Sequence, residues 1–356
     1  MKNKIFAIIL FFLAFTNVFA QKYYDDQWKK VAENYKNGKY KSNLPIILEI
    51  QNQAMKDDNA NQLIRSLKAE FSIVNQTTDD TKNDSSSQFF KKLSTFGDKL
   101  KGENQLVYQV LLGEFFSDYY NQNQWKINQK TNINNQDFAQ IETWSKLNFK
   151  NYLAKYFSDL NLKSAELKQV QMSKYKEIFN GTEDLDYFPT LLDWNSLNNI
   201  AFLKNSQLFT PNELKENHSK ILTIYDELIA KNTGNSKLYF QHQKINYNCG
   251  FSNCKDQFSQ LQNLVNSQTE GDYKVLIMSE MMDLLVAQEK PKEALSLAET
   301  AKKEFPKSPF LNQIKNKENQ ITNPNLTIKF EAHTQANLPI QLVADAKNIS
   351  KFSLNI

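Results

Sequence analysis

From Asp25 to about Val74 the apolar residues recur at helical spacing. Trp28, Val31, Ala32 and Tyr35 stand at i, i+3, i+4 and i+7, which puts them on one face of a helix. Asn37-Gly38 follows, and glycine accepts the left-handed conformation that ends a helix. Leu44, Ile47, Leu48, Ala54 and Met55 predict a second helical stripe, and Leu63, Ile64, Leu67, Phe71 and Val74 a third. Asn75 to Gln88 is polar and without period, so it reads as a loop. Stripes resume at Leu106, Val110, Leu111 and Phe115, and a second polar break is expected over Asn121 to Gln136. Phe149, Tyr152, Leu153, Tyr156, Phe157 and Leu160 then make a strong stripe. At that spacing, aromatic residues read as core.

A loop around Gly181 to Pro189 divides the helical part in two. Beyond it, Phe258, Leu261, Leu264 and Val265 mark one helix, and Tyr273, Leu276, Ile277, Met281, Leu284 and Leu285 another. Pro291 to Leu295, with Ala298 and Ala301, marks a third that closes at Phe305-Pro306. Small residues at Ala294, Ala298 and Ala301 let neighbouring helices approach closely. The stretch from about Leu276 to Pro306 resembles one tetratricopeptide repeat, except that Glu289-Lys290 stands where the turn usually has glycine. No strict period recurs elsewhere, so a degenerate array of α-hairpins is expected.

At Asn323-Pro324 the period changes to two. Leu326, Ile328 and Phe330 alternate with polar residues, then Ile340, Leu342 and Ala344, then Phe352, Leu354 and Ile356. Three short alternating runs predict strands of an antiparallel sheet. A sandwich uses about seven, so the segment reads as the incomplete start of one, and the chain as a fragment or truncated product. The expected class is mainly α: a tetratricopeptide-like superhelix of hairpins followed by a short β segment. Its divisions are 1–20, 21–180, 181–322 and 323–356.

The first division is a targeting segment. Lys2 and Lys4 precede an apolar run from Ile5 to Phe15, and Val18 and Ala20 place small or β-branched residues at −3 and −1 of a cut before Gln21. This is the pattern of a secretory signal peptide, and the run is short for a span of about 20 residues. The alternatives are an N-terminal anchor or a buried first helix. Removal takes two lysines from a net charge of +4. The mature chain is expected outside the cytoplasm, in the periplasm, on the cell surface or secreted, with no membrane span. No cysteine lies near the cut to carry a lipid.

Composition narrows the chemistry. The 356 residues contain 8 Gly, 8 Pro and 3 His, which disfavours glycine phosphate loops and histidine clusters. Of 43 basic residues Arg65 is the only arginine, and the lysines are scattered among acids, so nucleic acid is not expected as a partner. Cys249 and Cys254 in Cys-Gly-Phe-Ser-Asn-Cys suit a small-loop disulfide in an exported chain, two free thiols being the alternative. His242 and Cys249 lack a second ligand pair for zinc. His218, His242 and His333 form no catalytic spacing and read as surface or capping residues. Glu183-Asp184 and Asp25-Asp26 read as caps or solvated loop, and no serine has a G-x-S-x-G setting. No catalytic, metal or cofactor residue is assigned, and no enzyme is expected.

One resemblance covers most of the chain. Trp28, Val31, Gly38, Lys41-Ser42, Ile47, Ile50, Ala54, Gln62, Ile64 and Lys68-Ala69 carry its first part. Trp125-Lys126-Ile127 with Ile141 to Trp144 carries a second, and Tyr187 to Asp193 a third. In these residues the chain resembles the start of large bacterial α2-macroglobulin-family proteins with a helical N-terminal region. The β segment from Pro324 falls where their sandwich domains begin. The resemblance implies a non-enzymatic helical scaffold of an exported broad proteinase inhibitor or defence protein, with proteinases as partners of the full-length molecule. Cys249-Gly250 is followed by Phe-Ser instead of Glu-Gln, so the family's thioester is not carried over to it, and no bait segment is assigned. The alternative is a cell-envelope α-hairpin scaffold that binds a peptide, glycan or envelope protein.

The export pattern predicts cleavage after Ala20. N-terminal sequencing of protein from its native cell should begin at Gln21, and an intact Met1 in a cytosolic fraction would contradict it.

Overall fold

A computed structural model describes residues 21–77, 85–133, 137–179, 186–267, 271–330 and 342–353, without the side chains of 76 and 77. The signal segment with Ala20, and Glu183-Asp184, His333, Ile340, Leu354 and Ile356, lie outside the described residues. The chain is mainly helical, with one short antiparallel strand pair near its end. It divides into two compact units between Ile224 and Tyr225, whereas the polar loop in the sequence sets its division at 180/181. Among the described residues no helix is long and apolar enough to cross a membrane.

The N-terminal unit opens with α1 (21–36), α2 (Asn43–Lys56) and α3 (Ala60–Thr77). Gly38 ends α1 at φ +69°, and Lys39 N–H donates to Asn34 O at 2.8 Å, the wide return bond of a left-handed cap. On α2 the buried face is Asn43, Ile47, Ile50 and Ala54. Leu48 and Met55, expected on that stripe, are exposed. The register is set by Asn43, whose amide donates to Val31 O at 3.3 Å. All five residues of the α3 stripe are buried.

The two polar stretches are shorter as loops than expected. Helix α3 runs to Thr77, and α4 (Ser85–Phe96) begins inside the first stretch, burying Ser86, Ser87, Phe89, Phe90, Leu93 and Phe96. Helix α5 (Gly102–Ile127) continues through the start of the second. Neither Gly nor Pro interrupts it there. Tyr120 and Ile127, seven residues apart, stay on the buried face while Trp125 turns to solvent, 73% exposed. A short turn of helix (Phe138–Thr143), α6 (Lys146–Asn161), α7 (Ser164–Gln169) and α8 (Leu191–Leu203) follow. Capping boxes start α6, between Ser145 and Asn148, and α8, between Thr190 and Asp193. Each satisfies two donors that a bare helix end leaves open.

The core of this unit is aromatic, as the α6 stripe suggests. Phe116 has Phe90 at 4.7 Å, Phe138 at 4.9 Å, Trp144 at 5.5 Å and Tyr152 at 4.4 Å between ring centroids. Helices α5 and α6 meet at Gly113, where a Cβ would stand 3.0 Å from the Tyr156 ring.

Helix α9 (Pro211–Lys231) contains the division between the units. The C-terminal unit continues with α10 (Gly234–Ser252), α11 (Gln257–Ser267), α12 (Lys274–Ala287), α13 (Pro291–Glu304) and α14 (Leu311–Thr322). Consecutive helices from α10 to α14 pack in pairs, and α12 also packs on α14. Ala294, Ala298 and Ala301 are fully buried against Val275, Met278, Met282 and Ile314. Helix α12 is buried on most of its surface, which a single stripe did not show. Cys249 and Cys254 are joined, their Cα atoms 4.6 Å apart, across the turn that ends α10 at left-handed Asn253. Closing so short a loop restricts the unfolded chain by about 2 kcal/mol in the loop-entropy treatment.

Strands β1 (Asn325–Phe330) and β2 (Leu342–Lys347) pair antiparallel, with Ile328 opposite Ala344 and Phe330 opposite Leu342. The third alternating run is not a strand as far as it is described: residues 351–353 have no ladder partner. Asn348, at φ +56°, turns the chain after β2 and donates its amide to Ile321 O at 2.6 Å.

Glu289 occupies the turn position where the repeat usually has glycine, and its φ is +60°. Lys290 N–H donates to Leu285 O at 2.9 Å, so Glu289 is the left-handed residue of a helix cap. That conformation costs a residue with a side chain roughly 1–2 kcal/mol. Glycine gives back roughly 0.4–1 kcal/mol through its looser unfolded chain. Glu289→Gly should therefore raise the stability of the C-terminal unit by about 0.5–1 kcal/mol, read as a higher urea midpoint at unchanged slope. A lower midpoint would contradict this account.

Candidate functional site

Helices α1 and α3 lie side by side in the N-terminal unit. Trp28 Nε1–H donates to Gln62 Oε1 at 2.7 Å, and Tyr35 hydrogen-bonds Ser72 a turn and more further along both helices. The order of these bonds makes the two helices parallel. Each presents residues at i, i+3, i+4 and i+7: Trp28, Val31, Ala32 and Tyr35 from α1, and Arg65, Lys68, Ala69 and Ser72 from α3. Together with Ile178 they line a half-open hollow of about 370 Å³. The first stripe in the sequence located the α1 wall. The α3 wall is the polar side of a helix known only by its apolar stripe.

Arg65 is fixed from two sides. Its guanidinium stacks over the Trp28 ring, 4.1 Å from the centroid, and one terminal nitrogen donates to Glu177 at 2.8 Å. Its Nε is buried and makes no hydrogen bond within the protein. Burial lowers the Arg65 pKa, and Glu177 partly restores it. Gln62 also donates to Glu177, at 3.3 Å. Beyond this bridge a second hollow of about 320 Å³ is lined by Gln62, Lys174, Lys176 and Glu177 among others.

Lys68 reaches the other way. It pairs with Glu114 of α5 at 3.1 Å, and Glu114 also accepts from Trp194 Nε1 of α8 at 3.2 Å. One turn further on α5, Asp118 lines a partly open cavity of about 100 Å³ with Ser117, Asn121, Asn198, Phe202 and Leu208 among others. Burial and the neighbouring Glu114 carboxylate push Asp118 up to about 6, with Lys68 opposing.

The C-terminal unit holds a polar cluster that the sequence did not reveal. His242, expected at the surface or as a cap, is buried between α10 and α12. Its Nε2 stands 2.8 Å from Glu280 and its Nδ1 2.9 Å from the Tyr273 hydroxyl. With Glu280 ionised, Nε2–H donates to the carboxylate, and Nδ1 is paired with the Tyr273 hydroxyl. Asn246 and Gln257 donate to the same carboxylate at 2.9 and 3.1 Å. Burial raises the Glu280 pKa, but these hydrogen bonds outweigh it and leave it lowered. The arrangement resembles a proton relay, yet Tyr273 is buried too, at 4% exposure, so it offers no reacting oxygen to a substrate. It locks α10, α11 and α12 together. Gln260 approaches Cys249 Sγ at 3.9 Å beside the disulfide, which is thereby part of the same packing. Among the described residues no group of three or more His, Cys, Asp or Glu is placed to hold a metal ion.

No family model, curated protein or solved structure matches the chain. The residues that carry the resemblance divide by role. Ile47, Ile50, Ala54 and Ile64 are buried among α1, α2 and α3, while Trp28, Val31, Lys68 and Ala69 line the hollow, Val31 from its buried floor. Ile141 and Trp144 are core, and Thr190 and Asp193 cap α8.

A carboxyl whose folded pKa stands above its ordinary 3.8 favours folding while protonated. The contribution of Asp118 is whole below that value and is lost as pH rises through about 6. Asp118→Asn should remove this slope and leave the N-terminal unit about 2–3 kcal/mol more stable at pH 8, relative to pH 4, than the parent. Urea unfolding of both proteins across pH 4–8 checks it; parallel profiles would contradict the assignment.

Proposed function

We propose that the chain is a non-enzymatic helical binding scaffold of an exported protein, the helical part of an α2-macroglobulin-like proteinase inhibitor. The observation that carries the binding role is the hollow between α1 and α3, which two aromatic rings and two cations line, with the Arg65 guanidinium stacked on Trp28 at its wall. Other features support the wider reading. The chain passes from helices to an antiparallel strand pair at Asn325, where the resemblance expects sandwich domains to begin. The Cys249–Cys254 disulfide suits an oxidising compartment outside the cytoplasm. In this role the helices hold and present, and proteinase capture belongs to other parts of a full-length molecule. The same hollow supports a second reading, an envelope scaffold that docks a peptide, glycan or protein.

A photo-crosslinking residue at Ala32, exposed on the rim of the hollow, tests the binding role in the native cell. A discrete adduct is expected there and not from Leu162, which is 86% exposed and lines no hollow described above. A proteinase in the adduct favours the inhibitor reading and a resident envelope molecule the second. Equal yields at both positions would remove the hollow as a binding surface.

A further inference from the structure

The two hollows of the N-terminal unit share one partition, the bridge from Arg65 to Glu177. Four charged residues that line them are cationic, Arg65, Lys68, Lys174 and Lys176, and Glu177 is the one anion. The acids that pair Lys68 and Lys174, Glu114 and Glu103, approach from α5 and do not line either hollow. The lining residues themselves thus carry an excess of cations, and the one acid among them sits on the arginine, on which Asp25 also acts from nearby.

Arg65 is the chain's only arginine, and its setting differs from that of a surface ion pair. Stacking on Trp28 fixes the plane of the guanidinium, which reduces the side-chain entropy that a ligand contact would otherwise cost. A guanidinium fork matches a carboxylate through two parallel N–H bonds. Here Glu177 takes one terminal nitrogen and Nε is left unbonded. Glu177 has 56% of its side chain exposed, so little packing holds it in place.

We propose that the Arg65 hollow is a docking site for an acidic peptide segment, with Glu177 holding the place of a ligand carboxylate until one displaces it. The inference rests on the binding-scaffold reading and names its ligand class. A peptide side chain that reaches Arg65 exchanges one carboxylate for another on the stacked guanidinium. Departure of Glu177 joins the two hollows into one groove between Lys68 and Lys174. Neighbouring acidic residues of the same segment would meet those lysines, and its backbone or aromatic groups would lie along Trp28 and Tyr35.

The test is fluorescence anisotropy with a fluorescein-labelled octaglutamate peptide on the full chain. Glu177→Gln removes the internal competitor and should tighten binding about fivefold or more, while Arg65→Gln should weaken it about tenfold or more. Arg65→Lys keeps the charge but loses the fork, and should fall between parent and Arg65→Gln. Glu166→Gln, the same charge change at an exposed residue of α7 that lines neither hollow, should stay within about twofold, because a solvated surface charge without direct ligand contact contributes little. Circular dichroism confirms that each variant is folded. The proposal is overturned if Arg65→Gln binds as tightly as the parent, if Glu177→Gln weakens binding or matches Glu166→Gln, or if neither parent nor Glu177→Gln binds the peptide. Binding of a sulfated oligosaccharide in place of octaglutamate would overturn the peptide class. A crosslinked partner at position 32 together with no octaglutamate binding would retain the scaffold reading and remove only the acidic ligand.

Discussion

The N-terminal unit depends on the packing of aromatic rings around Phe116. Rings from α4, α6 and the stretch Phe138 to Trp144 all lie within 5.5 Å of this α5 ring. Large planar side chains bury much area for few rotatable bonds, and each well-placed pair adds about 0.5–1.5 kcal/mol beyond that area. Rings of this size leave little tolerance in helix spacing. Gly113 is where α5 must yield to Tyr156, and the buried Trp144 ring is anchored through its Nε1–H to Asp137 O at 3.1 Å. With α5 fixed in this way, the polar side that it offers to α3 and α8 is fixed as well. That side carries Glu114, which holds Lys68 at the edge of the hollow. The position of a cation in the candidate site is thus set by ring packing on the opposite side of a neighbouring helix.

The C-terminal unit solves the same problem with small residues. Alanines of α13 sit against methionines of α12, so these helices approach closely with little shape specificity from either partner. Specificity is supplied by polar and covalent ties at the other end of the unit. Glu280 gathers His242, Asn246 and Gln257, and the disulfide closes the turn between α10 and α11. A carboxylate with three donors stabilises the fold only while it is ionised, so this unit loses support as pH falls below the ordinary carboxylate range. Asp118 works in the opposite sense in the N-terminal unit, because there burial next to Glu114 favours the protonated form.

Apolar periodicity made most helices legible, since burial on one face leaves a mark at i, i+3 and i+4. It failed in three ways. Helix α4 was hidden because Ser85 to Gln88 dilutes its first turn, although Phe89, Phe90, Leu93 and Phe96 follow at helical spacing. The end of α5 is hidden because its exposed side is rich in Asn and Gln, which resembles a loop in composition although neither Gly nor Pro breaks the helix there. Leu48 and Met55 fall on the α2 stripe in sequence but on its exposed side in the fold, because an apolar side chain carries no sign of its direction; the polar Asn43 lies on the buried face instead. The candidate site was less legible still. Trp28 and Tyr35 look like core at their spacing, and Arg65 stands on the polar side of α3. Only the alignment of α1 with α3 brings them together. His242 shows the same limit, since its partners lie 31 and 38 residues further along the chain.

The hollow between α1 and α3 is not what packing alone would produce. Two parallel helices with apolar stripes can close on each other by filling the gap with apolar side chains, and the core of this unit is filled in that way by aromatic rings together with Leu and Ile. Here the facing positions are Trp28 and Tyr35 on one helix and Arg65 and Lys68 on the other. Two cations at i, i+3 repel each other, and burial opposes the charge on Arg65. The arrangement holds because carboxylates come from outside the layer: Glu114 from α5 and Glu177 from the segment before α8. These two acids differ in one respect that matters. Glu114 is 17% exposed and is also bonded by Trp194, so it belongs to the packed interior. Glu177 is more than half exposed, and its described bonds are to Arg65 and Gln62 at the edge of the hollow. One acid is built into the fold and the other can be replaced at small structural cost, which leaves Arg65, and not Lys68, as the cation available to an incoming carboxylate.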